Sequence, residues 1–284
     1  MNCSRQAAAR TASATNKQSP GRIRVGIGGW NYEPWRKTFY PPGTAQTREL
    51  EYASQRVTSI EINGTFYRLQ KPEVFEKWYD ATPKEFMFSV KAPRFIVQRK
   101  DLSSAGTAVE RFIASGIGEL RSKLGPILWQ LSPTKKFDPQ ELDQFLALLP
   151  AEVNQLPLRH ALEVRHASFF NREFLDIVRR HRVAVVYEDD AAYPGTADLT
   201  SSFVYARLRR SAASVVTGYG LTALNQWARR AETWARGGEP TGLPRIAPKP
   251  KAAGMPREVF IYFINGAKER APAAAQKLIS LLGC

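Results

Sequence analysis

From residue 22 onward, the apolar positions of the chain switch repeatedly between a two-residue and a three-to-four-residue spacing, the signature of strands alternating with helices. Arg22–Gly29 alternates Val25 and Ile27 with Gly26 and Gly28, which predicts a strand with one face pressed against a close neighbour. A loop crowded with Trp30, Tyr32, Trp35, Phe39 and Tyr40 follows, then a helix marked by Leu50, Ala53 and Val57. The second strand is Ser59–Asn63 and the third is Phe86–Lys91. Between them a proline-led helix carries Val74, Phe75 and Trp78. Val109, Phe112, Ile113, Ile117, Leu120 and Leu124 keep helical spacing through Gly116 and Gly118, so one long third helix is expected before the strand Ile127–Leu131.

Asp138-Pro139-Gln140-Glu141 has the capping residues of a helix start, and Leu142, Phe145, Leu146 and Leu149 form that helix's stripe. In Arg159–Phe170 (RHALEVRHASFF), Ala161, Glu163 and Arg165 share one face and Leu162 and Val164 the other. Asn171 is the expected cap of a helix buried through Phe174, Leu175, Ile177 and Val178. The strand Val183–Asp189 is separated from Phe203–Arg209 by a link with little room for a crossover helix. Leu224, Trp227, Ala231 and Trp234 set the next helix. Gly237–Pro256, rich in proline and basic residues, reads as a mobile loop, and the strand Glu258–Asn265 and helix Ala271–Leu282 end the chain. Eight strand signals alternating with about seven helix signals predict a single α/β domain, a (β/α)8 TIM-type barrel over residues 22–284. An open doubly wound sheet is the rival, weakened because Gly28-Gly29 runs into Trp30 with no phosphate-binding glycine fingerprint.

Composition narrows the setting. With 284 residues and 43% apolar content, one large core is affordable. Cys3 and Cys284 are the two cysteines, both terminal, so no disulfide framework is expected, which suits a cytoplasmic location. No apolar run approaches the roughly 20 residues of a membrane helix, so no membrane partner is expected. Residues 1–21 carry three basic residues and no acid, and read as a disordered basic tail; their composition also matches a transit peptide, without the amphipathic helix one would show. A net charge of +15 favours polyanions, nucleic acid among them, but names no activity.

In a barrel, the inward-facing polar residues converge at the carboxyl ends of the strands, where active sites of this fold lie. Glu61, Asn63, Lys91, Gln130, Glu163, Arg165, Arg207, Asn265 and, by its end position, Asp189 are the candidates. Lys91, Arg165 and Arg207 are suited to an anionic group, and Glu61 or Glu163 to moving a proton. The structural alternative is a buried ion-pair network that serves only the fold. Lys91 as a Schiff-base nucleophile would need a depressed pKa. Trp30, Tyr32, Trp35, Phe66 and Tyr67 offer flat faces for a base or sugar, or simply pack the rim. Of the three histidines only His166 lies near a strand's carboxyl end, so a multi-histidine zinc cluster is excluded; no cofactor is expected, and one divalent ion on Glu61, Glu163 and Asp189 is the metal option left. The stretch Arg207–Arg210 reads as part of a loop able to close over a phosphate, or as a solvated loop.

Six separated words, GIGGWNYEPWRKTFYP, IEINGTFY, FMFSVKAPR, LGPILWQL, ALEVRH and FIYFING, resemble the YecE-like family, domain of unknown function 72. The resemblance implies a TIM-type barrel and no settled activity; likeness to metal-dependent apurinic endonucleases and sugar isomerases makes nucleic-acid or carbohydrate chemistry the family's recurring suggestion. This chain has Gln98 where many members carry a histidine, and Arg207, Leu208, Arg209 and Arg210 where Arg-Leu-His-Gly is common, so histidine-based metal binding transfers poorly. The expected function is an uncharacterised barrel enzyme acting by acid–base chemistry on a small anionic, sugar or nucleotide-type substrate. A nucleic-acid-binding protein using its basic surface and rim aromatics is the alternative.

Overall fold

The computed structural model describes residues 19–249 and 254–283. Eight parallel strands close into a barrel: β1 (Ile23–Gly28), β2 (Ser59–Ile62), β3 (Met87–Lys91), β4 (Leu124–Gln130), β5 (His160–Glu163), β6 (Ala184–Asp189), β7 (Phe203–Leu208) and β8 (Glu258–Phe263). Each strand pairs with its sequence neighbours, and β1 closes the ring against β8 with Val25 opposite Ile261. The expected tail lies mostly outside the described residues. Its last residue is already tied to the fold, because the Gly21 amide donates to the carbonyl of Ala235, the end of an outer helix.

Two apolar populations follow from the strand alternation. Val25, Ile60, Phe88, Trp129, Leu162, Tyr187, Ala206 and Ile261 face outward and join the helix faces in one core. Inside the barrel, Leu128, Ala161, Ala184, Val186, Phe203, Tyr205, Phe260 and Tyr262 form a second. Gly26 and Gly28 face inward, as the close-neighbour reading of β1 expects. A Cβ on Gly26 would sit 2.2 Å from the Ser59 carbonyl oxygen, and one on Gly28 would sit 2.7 Å from Ile264 Cδ1 and 2.9 Å from Asn63 Nδ2.

The outer helices are α1 (Glu49–Ser54), α2 (Pro72–Asp80), α3 (Gly106–Ile113), α4 (Pro139–Ala147), α5 (Arg172–Arg180), α6 (Leu221–Ala235) and α7 (Ala271–Leu282). Both expected caps form: Asp138 accepts from the Glu141 amide and Asn171 from the Phe174 amide. No helix fills the link between β6 and β7. The long third helix does not form. α3 stops at Ile113, Gly116 turns at φ 110°, and a 3-10 segment, Ile117–Lys123, carries Ile117 and Leu120 inward. Repeating every three residues, that segment keeps the apolar spacing of a helix while its backbone differs. β4 accordingly begins at Leu124, earlier than expected.

The proline-rich segment is irregular but anchored where it is described. Buried Asp198 accepts from the Ile246 amide at 2.6 Å and the Ala247 amide at 3.1 Å, and meets the Arg245 guanidinium at 3.3 Å. Leu243 and Ala247 are buried, so this part of the segment is packed, not mobile as expected. No described helix is long and apolar enough to cross a membrane.

Candidate functional site

The inward side chains of four strands meet at the carboxyl-end mouth in an alternating chain of acids and guanidiniums, with the Gln130 amide of β4 joining them. Arg207, on β7, grips Glu61 of β2 with two bonds, Nη2 to Oε1 at 3.0 Å and Nε to Oε2 at 3.1 Å. Its remaining Nη1 donates to Glu163 of β5. The other Glu163 oxygen accepts from Gln130 Nε2 at 2.6 Å and Arg165 Nε at 2.8 Å. Arg165 continues to Glu188 of β6 at 3.0 Å, where Arg209 also donates. Tyr205 donates to Glu61 at 2.7 Å and bonds Ser89 at 2.8 Å, tying the array to the layer below. Glu61 and Glu163 are completely buried and Arg207 is 2% exposed. Burial of such charges is costly alone, and here each is met by partners of opposite sign.

The electrostatics separate the carboxylates. Burial alone would raise the Glu163 pKa, but Arg207, Arg165 and the Gln130 amide outweigh it and lower it to about 2. Glu188 is raised, first by its own burial and then by the charge of Glu163, and its Oε2 has no partner among the described residues. Lys91 differs from every other cation here. It is 9% exposed, no described carboxylate lies within ion-pair reach of its Nζ, and that Nζ sits 4.2 Å from the Phe66 ring centre. Desolvation, reinforced by the Arg207 charge, brings its pKa down to about 8.

Beside the array, over the ends of β1 and β2, lies a recess of about 280 Å³ lined by Trp30, Tyr32, Asn63, Tyr67, Arg68 and Lys268 with the backbone of Gly28, Gly29 and Gly64. Asn63 Nδ2 reaches the Glu61 carbonyl at 3.4 Å, and the β2–β3 register, Ile62 beside Val90, sets Asn63 level with Lys91. Trp30 meets Trp78 edge-on at 5.1 Å, whereas Tyr67 is 69% exposed. Trp35, by contrast, is fully buried, with its Nε1 donating to the Lys268 carbonyl.

Several expected positions fall elsewhere. Asp189 faces outward beside Tyr187 and pairs with Arg210 at 3.1 Å, and Glu188 takes the inward place. β8 ends at Phe263, Ile264 is the inward residue, and Asn265 is exposed at φ 60°, contributing its carbonyl to Ser211. His166 turns to its own loop, with Nδ1 at 2.8 Å from Ser168 Oγ, and caps a 3-10 turn. The trio Glu61, Glu163 and Asp189 therefore does not converge, and the first two spend their oxygens on arginines, so these residues do not fit the divalent ion considered from the sequence. Among the described residues no three histidine, cysteine or acidic side chains form a metal-binding group. Arg207 belongs to the strand, and Arg209 is held by Glu188 and Asp190, which leaves Arg210 as the exposed arginine of the basic stretch.

Residues 24–284 match a family described as "Protein of unknown function DUF72". The chain belongs to the DUF72 family. A DUF72 protein of Thermotoga maritima superposes with a TM-score of 0.70 at 21% identity, covering 93% of this chain and all of that one. A second, from Enterococcus faecalis, gives 0.63 at 17% identity and covers 94% of this chain and all of its own. Outside structures named DUF72, SacUVDE gives 0.51 at 13% identity, a likeness of fold. By sequence, UPF0759 protein YecE of Escherichia coli K12 is 30% identical over 151 residues, 52% of this chain and 50% of YecE. UPF0759 protein YunF of Bacillus subtilis 168 is 31% identical over 160 residues, 54% of each chain. The matched stretch thus spans about half the length of these curated relatives.

Proposed function

We propose that this DUF72 barrel is an enzyme that binds a small anionic, sugar-containing or nucleotide-type ligand at its carboxyl-end mouth and acts on it by acid–base chemistry. The observation that carries the reading is Lys91, a nearly buried cation with no acidic partner among the described residues, in a site where the neighbouring guanidiniums all have one. An uncompensated buried charge is expensive, and a bound anion would offset that cost. Arg165, at the outer edge of the array with 12% of its side chain exposed, is the natural second contact.

The proton chemistry is better divided than the sequence alone implied. A group serves best when its pKa is near the working pH. Glu163, at about 2, is a fixed counter-charge, and Glu61, gripped by Arg207 and Tyr205, positions that arginine. Lys91, at about 8, is the group placed to exchange a proton; Glu188 is raised by its burial and by the charge of Glu163.

Calorimetric titration with ribose 5-phosphate tests the reading. Lys91→Met is expected to weaken binding by about tenfold or more, the worth of a charge-assisted bond; unchanged affinity would remove Lys91 from the site. Binding of nucleic acid without catalysis is the second reading, favoured by the +15 charge and by a broad recess with Arg99, Lys100 and Lys136 on its wall. Affinity that collapses as salt rises would favour it, whereas a small-ligand pocket would keep most of its affinity.

A further inference from the structure

The recess over β1 and β2 has a composition of its own. No carboxylate among the described residues lines it, unlike the recess beside β6 with Glu188, Asp189 and Asp190 or the one beside β4 with Asp138 and Glu141. Its charged groups are Arg68 and Lys268, both cationic. Lys268 is half-buried against aromatic faces, its Nζ 4.4 Å from the Tyr32 ring centre and 5.7 Å from that of Trp35, and desolvation lowers its pKa. The polar side chains beside them are amides, Asn31, Asn63 and Gln70, which donate and accept in the paired pattern that a base edge presents. Tyr67 leaves most of a large aromatic ring open to solvent at the rim, with Phe66 edge-on at 5.2 Å holding it. A Cβ at Gly29 or Gly64 would meet nothing within 4 Å, so both backbones are open to close approach.

A polyol would be served by carboxylate acceptors that this recess lacks, and an uncharged aromatic ligand would leave two cations unused. A planar heterocycle joined to one anionic group matches all three parts. The volume, just below the roughly 300–1,000 Å³ spanned by ligand sites, suits a ligand no larger than a single nucleotide and not an extended strand.

We infer that this recess is a mononucleotide site: the base stacks on Tyr67 and is read by the amides, while the phosphate sits at its inner edge, met by Lys268 and Arg68 from the recess and by Lys91 from the mouth. This deepens the proposed function and rests on it, since the ligand would sit beside the Glu61–Arg207 array and Lys91.

The test is calorimetric titration with adenosine and uridine 5′-monophosphates, the parent nucleosides and ribose 5-phosphate, against the wild type and three variants. Tyr67→Ala alters an exposed ring, Lys268→Met keeps the carbonyl that Trp35 uses, and Lys91→Met probes the mouth. At least one monophosphate is expected to bind about tenfold tighter than its nucleoside and than ribose 5-phosphate. Tyr67→Ala is expected to cost the monophosphate about fivefold or more and ribose 5-phosphate nothing, and Lys268→Met to weaken both phosphates. If monophosphates bind no better than ribose 5-phosphate and Tyr67→Ala changes nothing, the nucleotide assignment is overturned; ribose 5-phosphate binding that still depends on Lys91 then leaves the proposed function standing. If Tyr67→Ala abolishes monophosphate binding but Lys91→Met affects no ligand, the recess assignment holds and the role given to Lys91 fails. Absence of binding by every ligand overturns both.

Discussion

Replacing Glu163 by Gln removes the central negative charge of the mouth while keeping its shape. Arg207 would keep both bonds to Glu61, and Arg165 its contact with Glu188, so neither guanidinium is wholly stranded. Breaking a buried pair of this kind costs about 3–5 kcal/mol. The lowered pKa gives an independent figure: a carboxyl brought from 4.5 to about 2 contributes roughly 3 kcal/mol at neutral pH. In a chain of this size such a loss lowers the melting temperature by about 5–8 °C.

The sign of the pH dependence sharpens the test. Because the folded-state pKa of Glu163 is depressed, its contribution is present above the unfolded value and disappears as pH falls from about 4.5 towards 2. The gap between wild type and Glu163→Gln should therefore be full at pH 6–7 and close as the wild-type carboxyl takes up its proton. Denaturant titrations of both proteins at pH 7, 5, 4 and 3 measure it. A gap that stays constant across that range, or a variant as stable as the wild type at pH 7, would show that the Glu163 charge does not hold the array together.

Lys91→Met should raise stability at pH 7 even as it weakens anion binding, because a lysine lowered to about 8 carries an unfavourable charge below that pH; in the wild type, stability should rise between about pH 8 and 10.5, and a variant less stable than the wild type at pH 7 would contradict this. Asp198→Ala should cost about 3 kcal/mol and open the Leu243–Ala247 segment to limited proteolysis, since it strands two amides and the Thr196 hydroxyl while Arg245 keeps Glu239; an unchanged cleavage pattern would refute the anchor. Gly26→Ala should lower the melting temperature sharply, because its Cβ would lie 2.2 Å from the Ser59 carbonyl oxygen in the β1–β2 seam; a neutral result would mean the seam can widen freely.

The barrel and most of its mouth were legible because strand alternation marks a face wherever polar and apolar residues take turns. Glu61, Lys91, Gln130, Glu163 and Arg207 all lie where that alternation puts them. It failed where a strand is apolar on both faces, as buried parallel strands are. In β6, Ala184 and Val186 fill the barrel interior while Val185 and Tyr187 pack outward, so nothing in AVVYED tells which of Glu188 and Asp189 turns in; the bulk of Tyr187 against Trp227 and Trp234 decides it. β8 misled in the same way, and Ile264 holds the place expected of Asn265. The anchoring of the proline-rich segment was illegible for another reason: it depends on Asp198, about fifty residues away, and local composition carries no trace of so distant a partner.

The distribution of charge around the mouth also accounts for where the open space lies. β2, β5, β6 and β7 each contribute an acid or an arginine, and these side chains bond one another across the barrel axis, closing that part of the mouth. β1 contributes glycine at Gly26 and Gly28, and the inward residue just past β8 is Ile264, so no charged side chain from either strand enters the array. The chain leaving β1 has to cover the gap with its loop, which is where Trp30, Asn31 and Tyr32 stand and where the acid-free recess forms. The same glycines that let β1 approach β2 closely enough to complete the ring thus leave the array incomplete on that side. A ligand's anionic group entering there would find Lys91 level with Asn63 on the neighbouring strand, a member of the cluster that the described acids leave unmatched.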